Sequence, residues 1–379
     1  MVRQAKQKGL KSATHRLALK ALTSLTALAS FTALLSILPC PLPTRLSIPP
    51  SGLSATPTEL SLLPPAAAQG TVTQSNIATV KTTFVDKSRN KTIEMRVTSP
   101  TKPGNYPVIV FSHGAGGSRD NYLGLIDVWA PSGYICLQPT HDDSIALMRR
   151  TNPTANIVTA LDKTNEHAYW VSRGRDVAAV LDNLDVLAKN LPAGVTMDKQ
   201  NIGVGGHSYG AFTTLISAGA PVLIPKGVVP GYGGLTSFAQ PRAKAFLVLC
   251  GQGTGKVGLC FPDKSSYAKI TAPMMVMTGS KDFGQRGQQP TWRMESYTGS
   301  LHDGNKYLLY INGANHMTFG GNGNRLFKRG SDSNLFGYVQ QGSLSFWNAY
   351  LKNDATAKQA LIDQQLSKNS GGVVKQENH

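Results

Sequence analysis

The chain has 379 residues, of which 41% are hydrophobic and 16% are charged. This hydrophobic content can form a large core and excludes a wholly disordered protein, and the glycines follow no G-X-Y period, which excludes a collagen-like one. The formal net charge is +17, but the bases are scattered and form no Lys/Arg-rich run. We therefore expect no nucleic-acid partner.

Residues 1–69 predict a leader followed by a linker. A basic start at residues 3–20 precedes an uncharged stretch at residues 21–38, which is typical of a secretion signal. Residues 39–65 are rich in Pro, Ser and Thr and indicate an extended tether, and residues 66–68 offer the small side chains that a signal peptidase accepts. We expect a secreted or periplasmic protein. Either the true start lies further in, or the segment stays uncleaved as a membrane anchor and linker.

Residues 70–379 predict a single domain in which strands alternate with helices. Strands are expected at 78–85, 92–98, 107–111, 134–138, 202–205, 245–249, 274–277 and 307–311, and helices at 122–129, 177–187, 211–216 and 344–351. The first two strands form a probable hairpin, and the alternation that follows predicts an α/β fold: a mostly parallel sheet with helices on both faces. The segment between Leu215 and Pro241 is short and allows at most a small lid.

The sharpest motif is Gly206-His207-Ser208-Tyr209-Gly210, which matches G-x-S-x-G between a predicted strand and a predicted helix. A nucleophile at such a turn has a strained backbone that only small neighbours permit, and glycines stand at both ends of the motif. The hydroxyl of Ser208 also lies over a helix N-terminus, which favours developing negative charge. This context predicts that Ser208 is a nucleophile.

A serine hydroxyl needs a neighbouring base to take its proton. Asp282 follows the strand at 274–277 and His316 follows the strand at 307–311, so both lie at the carboxyl ends of strands, where open parallel sheets place their sites. The chain order Ser, acid, His agrees with the order used with this kind of turn. We predict that Asp282 and His316 complete a set with Ser208.

Other histidines and acids are weaker candidates. We expect His207 to have a packing role and His113 to support its own glycine-rich loop. His141, Asp142 and Asp143 form a possible metal cluster, but adjacent acids rarely point at one ion, so we predict neither a metal nor an organic cofactor.

The segment His113-Gly114-Ala115-Gly116-Gly117 follows a predicted strand and predicts an oxyanion site. Backbone N–H groups fixed in advance stabilise the oxyanion of an acyl intermediate. The expected donors are the amides of Ala115 and Tyr209.

A glycine-rich loop and three cysteines predict structural features outside this set. Residues 251–256 resemble a phosphate-binding loop but lack its spacing, so we expect a surface loop there. Cys136 lies in an apolar run and predicts a buried thiol, whereas Cys250 and Cys260 could close a disulfide in an oxidising compartment.

Together the segment 107–114, the Ser208 motif and the late Asp282 and His316 resemble the α/β-hydrolase superfamily. Within it the chain is most similar to the group of dienelactone hydrolases, chlorophyllases and plasma-type platelet-activating-factor acetylhydrolases, and more distantly to secreted cutinases. The resemblance covers approximately residues 80–350 and implies an oxyanion donor at Ala115. Dienelactone hydrolases proper use a cysteine nucleophile, whereas position 208 is serine.

We therefore expect a secreted serine esterase that cleaves a small-molecule or polymeric ester through Ser208, His316 and Asp282. A serine peptidase or an acyltransferase would use the same residues with another leaving group or acceptor. A catalytically silent binding protein, tethered at the cell surface and holding an anionic polymer, is the alternative from another class.

Overall fold

The structure, a computed structural model, describes residues 76–255, 261–321 and 332–379. Nine strands form a central sheet and two more form a small hairpin. The strands are β1 (Ile77–Asp86), β2 (Lys91–Pro100), β3 (Gly104–Ser112), β4 (Ile135–Thr140), β5 (Val195–His207), β6 (Val222–Ile224), β7 (Gly234–Thr236), β8 (Ala243–Leu249), β9 (Met274–Lys281), β10 (Lys306–Asn315) and β11 (Val374–Asn378). The predicted leader at residues 1–69 and Cys260 lie outside the described residues.

Ten α-helices and three short 3₁₀ turns are found in the same described ranges. The α-helices are α1 (Leu123–Trp129), α2 (Ile145–Met148), α3 (Ile157–Lys163), α4 (His167–Asp182), α5 (Leu184–Ala188), α6 (Tyr209–Ser217), α7 (Glu295–Thr298), α8 (Asp332–Leu351), α9 (Ala355–Ile362) and α10 (Gln365–Asn369). The 3₁₀ turns are Lys264–Lys269, Pro290–Met294 and Thr318–Gly320.

The sheet has the strand order β1-β2-β4-β3-β5-β8-β9-β10-β11. The six strands from β4 to β10 pair in parallel, whereas β1 with β2, β2 with β4, and β10 with β11 pair antiparallel. The carboxyl ends of the parallel strands lie along the same edge of the sheet, so the loops that follow β3, β5, β9 and β10 meet there. The sheet thus brings together the loops that carry the predicted site residues.

Strand β3 shows how both faces of the sheet are buried. Val108 and Val110 belong to one core with residues of α4 and α6. Ile109 and Phe111 belong to the other core with residues of α1 and α8. An apolar residue at every position is what a strand covered on both sides requires, because successive side chains point to opposite faces. The predicted α/β architecture, a mostly parallel sheet with helices on both faces, is confirmed.

Several elements differ from the predicted ones. The strand predicted at 202–205 begins already at Val195. Its pairing with β3 changes register between Pro107 and Val108. The helix predicted over 177–187 is two helices that part at Asn183, whose φ of −112° is not helical. The strand β11 at the end of the chain was not predicted, and it pairs with β10 at the edge of the sheet.

The segment considered as a small lid contains the hairpin β6–β7. Helix α6 runs away from Ser208, and β8 begins at the amino-terminal edge of the sheet, so the hairpin connects two elements at that edge. Ser208 lies at the opposite edge.

Among the described ranges, no helix combines the length and the apolar character that crossing a bilayer requires.

We expect Gly203→Ala to destabilise the protein by about 1–3 kcal/mol, because overpacking forces neighbouring groups to shift. A Cβ at Gly203 in β5 would lie 2.6 Å from Cζ3 of Trp347 and 3.0 Å from Cδ1 of Leu351, both in the core. The measurement is urea unfolding at neutral pH.

Gly337→Ala is the matched control, since Gly337 lies in α8 and a Cβ there would meet nothing within 4 Å. Alanine is the better helix former, so this variant should gain up to about 1 kcal/mol. A Gly203→Ala protein as stable as the wild type would contradict the tight contact between β5 and α8.

Candidate active site

Ser208 stands on the turn between β5 and α6 with φ 57° and ψ −117°. This is a sparsely populated conformation for a residue with a side chain. A Cβ at Gly210 would lie 1.9 Å from the carbonyl oxygen of Ser112, and one at Gly206 would lie 2.3 Å from the carbonyl oxygen of Gly210. Both positions of the motif therefore require glycine, because the backbones of β3, β5 and α6 approach so closely.

The structure brings the predicted nucleophile, base and acid into hydrogen-bond contact. Nε2 of His316 lies 2.9 Å from Oγ of Ser208, and Nδ1 of His316 lies 2.8 Å from Oδ1 of Asp282. Asp282 directly follows β9 and His316 directly follows β10, and these two strands are neighbours in the sheet. A carboxylate at Nδ1 accepts the proton there, so Nε2 is the ring nitrogen left to accept the hydroxyl proton of Ser208.

Asp282 is fully buried and ionised. Burial raises its pKa, but the hydrogen bond and charge of His316 and the nearby guanidinium of Arg293 lower it, with a net value of about 2. Thr278 donates its hydroxyl to the other carboxylate oxygen at 2.9 Å. The acid is therefore negatively charged at neutral pH.

The predicted nucleophile and base can be reached from solvent. Ser208 is partly exposed, and the side chain of His316 keeps 29% of its surface accessible. The exposed neighbours Phe283 and Met317 directly follow Asp282 and His316 in the chain. The site thus lies at an open edge of the sheet, and apolar side chains stand beside it.

The loop after β3 passes directly beside Ser208. A Cβ at Gly114 would lie 3.4 Å from Cβ of Ser208. The amide of Gly114 donates to the hydroxyl of Tyr122 at 3.0 Å, and the amide of Gly116 donates to Oδ2 of Asp143 at 3.2 Å. Ala115 lies between these two bonded amides. Within the described part of the chain, neither its N–H nor the N–H of Tyr209 has an acceptor among backbone or side-chain atoms.

A buried ion pair fixes this loop from below. Arg173 in α4 pairs with Asp143 at 2.8 Å and donates to the carbonyl oxygen of His113 at 2.8 Å. Its guanidinium also lies 4.0 Å from the centre of the Tyr209 ring. Since Asp143 holds the amide of Gly116, the pair connects both sides of the loop to α4. The ring of Tyr209 is buried against Arg173 and is not part of the open cleft.

His207 is buried and packs against the rings of Tyr122 and His316, as expected, and it also makes two hydrogen bonds that were not predicted. Its Nδ1 lies 2.9 Å from the hydroxyl of Tyr122, and its Nε2 lies 2.9 Å from the carbonyl oxygen of His316. Only a protonated Nε2 can donate to that carbonyl, so Nδ1 accepts from Tyr122. Hydrogen bonds thus run from the amide of Gly114 through Tyr122 and His207 to the backbone of His316.

A second Ser-His-Asp arrangement lies inside the protein. Nε2 of His141 lies 3.1 Å from Oγ of Ser112, and Nδ1 of His141 lies 2.8 Å from Oδ2 of Asp176. All three side chains are fully buried. A substrate cannot reach Ser112, so this arrangement is structural.

The acids beside His141, considered above for a metal cluster, turn to separate cations. Asp142 pairs with Lys91 at 2.7 Å, and Asp143 pairs with Arg173. They do not converge with His141 on one point. His207, Cys250 and His316 do offer ligand atoms within 4.8 Å of one another. Their ring nitrogens, however, already bond to the groups described above, which leaves no free ligand set there.

The loop at residues 251–255 is mostly buried, not the surface loop expected from its sequence. Gln252 donates from Nε2 to the carbonyl oxygen of Ser208 at 3.0 Å, and Trp292 donates to the carbonyl oxygen of Thr254 at 2.9 Å. The loop therefore supports the Ser208 turn. Cys250 is a buried free thiol, as is Cys136, and the predicted disulfide to Cys260 falls on a residue outside the described ranges.

The parallel strand order and the strained serine between β5 and α6 are those of the α/β-hydrolase fold. The predicted resemblance to this superfamily is confirmed. Residues 65–219 match the family model described as Chlorophyllase. That match includes Ala115 and the Ser208 turn and ends before Asp282 and His316.

One solved structure that is similar is a putative dienelactone hydrolase from Klebsiella pneumoniae subsp. pneumoniae MGH 78578. The alignment has 14% sequence identity and a TM-score of 0.49, and it covers 72% of this chain and 99% of that chain. A search of the curated proteins found no match.

The sequence did not point to Arg173, Arg293 or Tyr122, which hold the loops of the site. Arg173 carries a usable signal only once the helix is known to begin before residue 177, because it then lies one turn ahead of Val177 on the apolar face, where a charge needs a buried partner. Arg293 and Tyr122 carry no such signal. Arg293 lies in a short 3₁₀ turn, and Tyr122 stands directly before the short helix α1.

We expect the protein to lose stability as the pH falls below about 6.5. Burial, aided by the charge of Arg173, lowers the pKa of His113 to about 4, and burial, aided by the charge of His316, lowers that of His207 to about 3. Below pH 6.5 the unfolded chain binds protons at these positions that the folded chain does not. The loss should be on the order of 3 kcal/mol per histidine by pH 4.

Urea unfolding at pH 7, 5.5 and 4 measures this dependence. His207→Gln should flatten it, because glutamine cannot take up the proton that the unfolded chain binds at this position. Equal slopes for wild type and His207→Gln would contradict a neutral, buried His207.

Proposed function

We propose that the protein is a serine hydrolase that cleaves carboxylic esters. The observation that carries the proposal is the contact of His316 with both Ser208 and Asp282, at 2.9 and 2.8 Å, at an edge of the sheet that solvent reaches. A hydroxyl, an imidazole and a buried carboxylate in this order form the set that activates a serine for acyl transfer.

The geometry supports a two-stage reaction. In the first stage Oγ of Ser208 attacks the ester carbonyl while Nε2 of His316 takes its proton, and the imidazolium then gives that proton to the leaving alcohol. The ester C–O bond breaks as the alcohol leaves, and the acyl group stays on Oγ of Ser208. In the second stage water attacks this acyl-enzyme with His316 as base, and His316 then returns the proton to Oγ as the acid product leaves. Asp282 keeps the imidazole in the required tautomer and stabilises its positive charge.

The amides of Ala115 and Tyr209 are the proposed donors to the oxyanion. Both N–H groups lack an acceptor among the described residues, and the loop of Ala115 touches Ser208. Removing one such donor costs an enzyme about 2.7–4 kcal/mol of transition-state stabilisation. Because Tyr122 and Asp143 hold the amides on either side of Ala115, its donor is fixed before substrate arrives.

The surroundings of the site support an ester with an apolar part. Phe283 and Met317 are each 51% exposed next to Asp282 and His316. On the other side, Ile157 and Val158 are exposed on α3, the helix whose Ala160 lies beside Gly116. Exposed apolar side chains grouped around a reactive centre favour binding of an apolar acyl or alcohol group.

Export remains part of the proposal and is supported by the leader pattern of residues 1–69. We propose a secreted or periplasmic enzyme, either cleaved near residue 68 or retained on the membrane by its N-terminal segment. N-terminal sequencing of protein recovered outside the cytoplasm tests this. A mature N-terminus close to Gln69 is expected, and a product found only in the cytoplasm would contradict export.

The wild-type protein should hydrolyse p-nitrophenyl esters, and a phosphonate ester probe should modify Ser208. We expect Ser208→Ala to lower kcat by roughly 10³-fold or more and to abolish labelling, because no other solvent-exposed hydroxyl in the described ranges has an imidazole at hydrogen-bond distance. Mass spectrometry of the labelled protein and steady-state kinetics measure both effects.

Ser112→Ala is the matched control, since Ser112 has the same partners in kind but is buried. This variant should still be labelled at Ser208. Labelling at another residue, or none on folded wild type, would refute the serine-hydrolase proposal. Faster turnover of peptide amides than of esters would instead indicate a peptidase, and retained ligand binding without turnover would indicate a binding protein.

A further inference from the structure

The acid of the site is shared between two partners. Oδ1 of Asp282, the oxygen that contacts Nδ1 of His316 at 2.8 Å, also lies 2.6 Å from Nε of Arg293. Arg293 is in the 3₁₀ turn at Pro290–Met294 and is 3% exposed. One carboxylate oxygen therefore meets an imidazole and a permanent guanidinium charge inside the protein.

The remaining donors of Arg293 bind the backbone of both loops that surround the acid. Nη1 donates to the carbonyl oxygens of Cys250 and Gly251 at 3.0 and 3.1 Å, and Nη2 donates to that of Phe283 at 3.2 Å. Nε also lies 3.1 Å from the carbonyl oxygen of Asp282 itself. The planar fork of a guanidinium suits such a set of fixed acceptors, and an ammonium group could satisfy only part of it.

We propose that Arg293 is a positioning residue that fixes the Asp282 carboxylate and offsets its charge. The offset weakens the attraction between this carboxylate and the imidazolium that forms when His316 takes a proton. This inference rests on the proposed hydrolase function. Its physical basis is that a second positive charge beside the same oxygen makes the imidazolium less favourable.

Among the groups described around Asp282 and His316, Arg293 is the one that carries a permanent positive charge. His207 packs against the His316 ring at 4.7 Å between ring centres and is held neutral by burial. Cys250, on the β8 side, has a thiol whose pKa burial raises well above its usual range. Tyr310, in β10, has a raised pKa for the same reason, so it is also uncharged at neutral pH.

The test is the pH dependence of kcat/KM, because its acid limb reports the protonation of the free enzyme's base. Arg293→Met keeps much of the side-chain volume and removes the charge. We expect the midpoint of the acid limb to rise by about one pH unit and kcat per phosphonate-titrated site to fall at least about tenfold. Arg242→Met is the control: Arg242 pairs with Asp182 on the surface, and its loss should leave both quantities unchanged.

Arg293→Lys separates geometry from charge and serves if Arg293→Met does not fold. It keeps a cation near Asp282 but loses the fork, so kcat per titrated site should fall several-fold while the acid limb stays close to that of the wild type. A merely structural role would reduce the number of titratable sites and leave kcat per site unchanged in both variants. That result, or an unmoved acid limb in folded Arg293→Met, would overturn the inference although the wild type hydrolyses esters. A wild type without hydrolysis or labelling would overturn the proposed function itself, and this inference with it.

Discussion

The backbone of Ser208 is the constraint on which the rest of the site depends. A non-glycine residue at φ 57° and ψ −117° has a conformational strain on the order of 1–3 kcal/mol, so its surroundings must hold it there. The N–H of Ser208 donates to the carbonyl oxygen of Leu249 at 2.9 Å, and its own carbonyl accepts from Gln252 at 3.0 Å. Both bonds come from β8 and the loop after it, so the neighbouring strand holds the strained peptide on both of its sides. Because the turn is fixed in this way, the hydroxyl points to the edge where the loops after β3, β9 and β10 meet.

Two buried ion pairs hold those loops on opposite sides of Ser208. Arg173 with Asp143 lies under the loop of Ala115, and Arg293 with Asp282 lies under the loop that leads to the acid. Removing one partner of a buried pair leaves an uncompensated charge, which typically costs 3–5 kcal/mol. A large shift of either loop would therefore separate a buried charge from its partner or expose it to solvent. Rigid loops are what a site needs when its donors must be in place before the reaction begins.

Much of this fold could be predicted because periodicity and glycine placement are local signals. The continuous apolar run of β3 and the G-x-S-x-G turn are readable without tertiary information, as is the order of Ser208, Asp282 and His316. The strand β11 could not be predicted from its polar sequence, since its pairing with β10 comes from an edge that only the folded sheet offers. The hydrogen bonds of His207 were missed for a similar reason: its partners Tyr122 and the backbone of His316 are distant in sequence and meet only in three dimensions.

The buried arrangement of Ser112, His141 and Asp176 differs in two ways from the set of Ser208, His316 and Asp282 that is proposed to react. Its hydrogen-bond distances resemble those at Ser208, and its acid also meets cations, with Arg89 at 2.7 Å and Lys91 at 2.8 Å. The pKa of His141 is well below its usual value because burial disfavours its charged form. An imidazole that cannot hold a proton cannot pass one from a nucleophile to a leaving group. His316 keeps part of its ring in contact with solvent, and Ser208 stands beside two backbone amides that lack an acceptor within the described residues. The chemistry proposed for this protein therefore depends on the solvent exposure of the site and on the two backbone amides beside Ser208 as much as on the three side chains themselves.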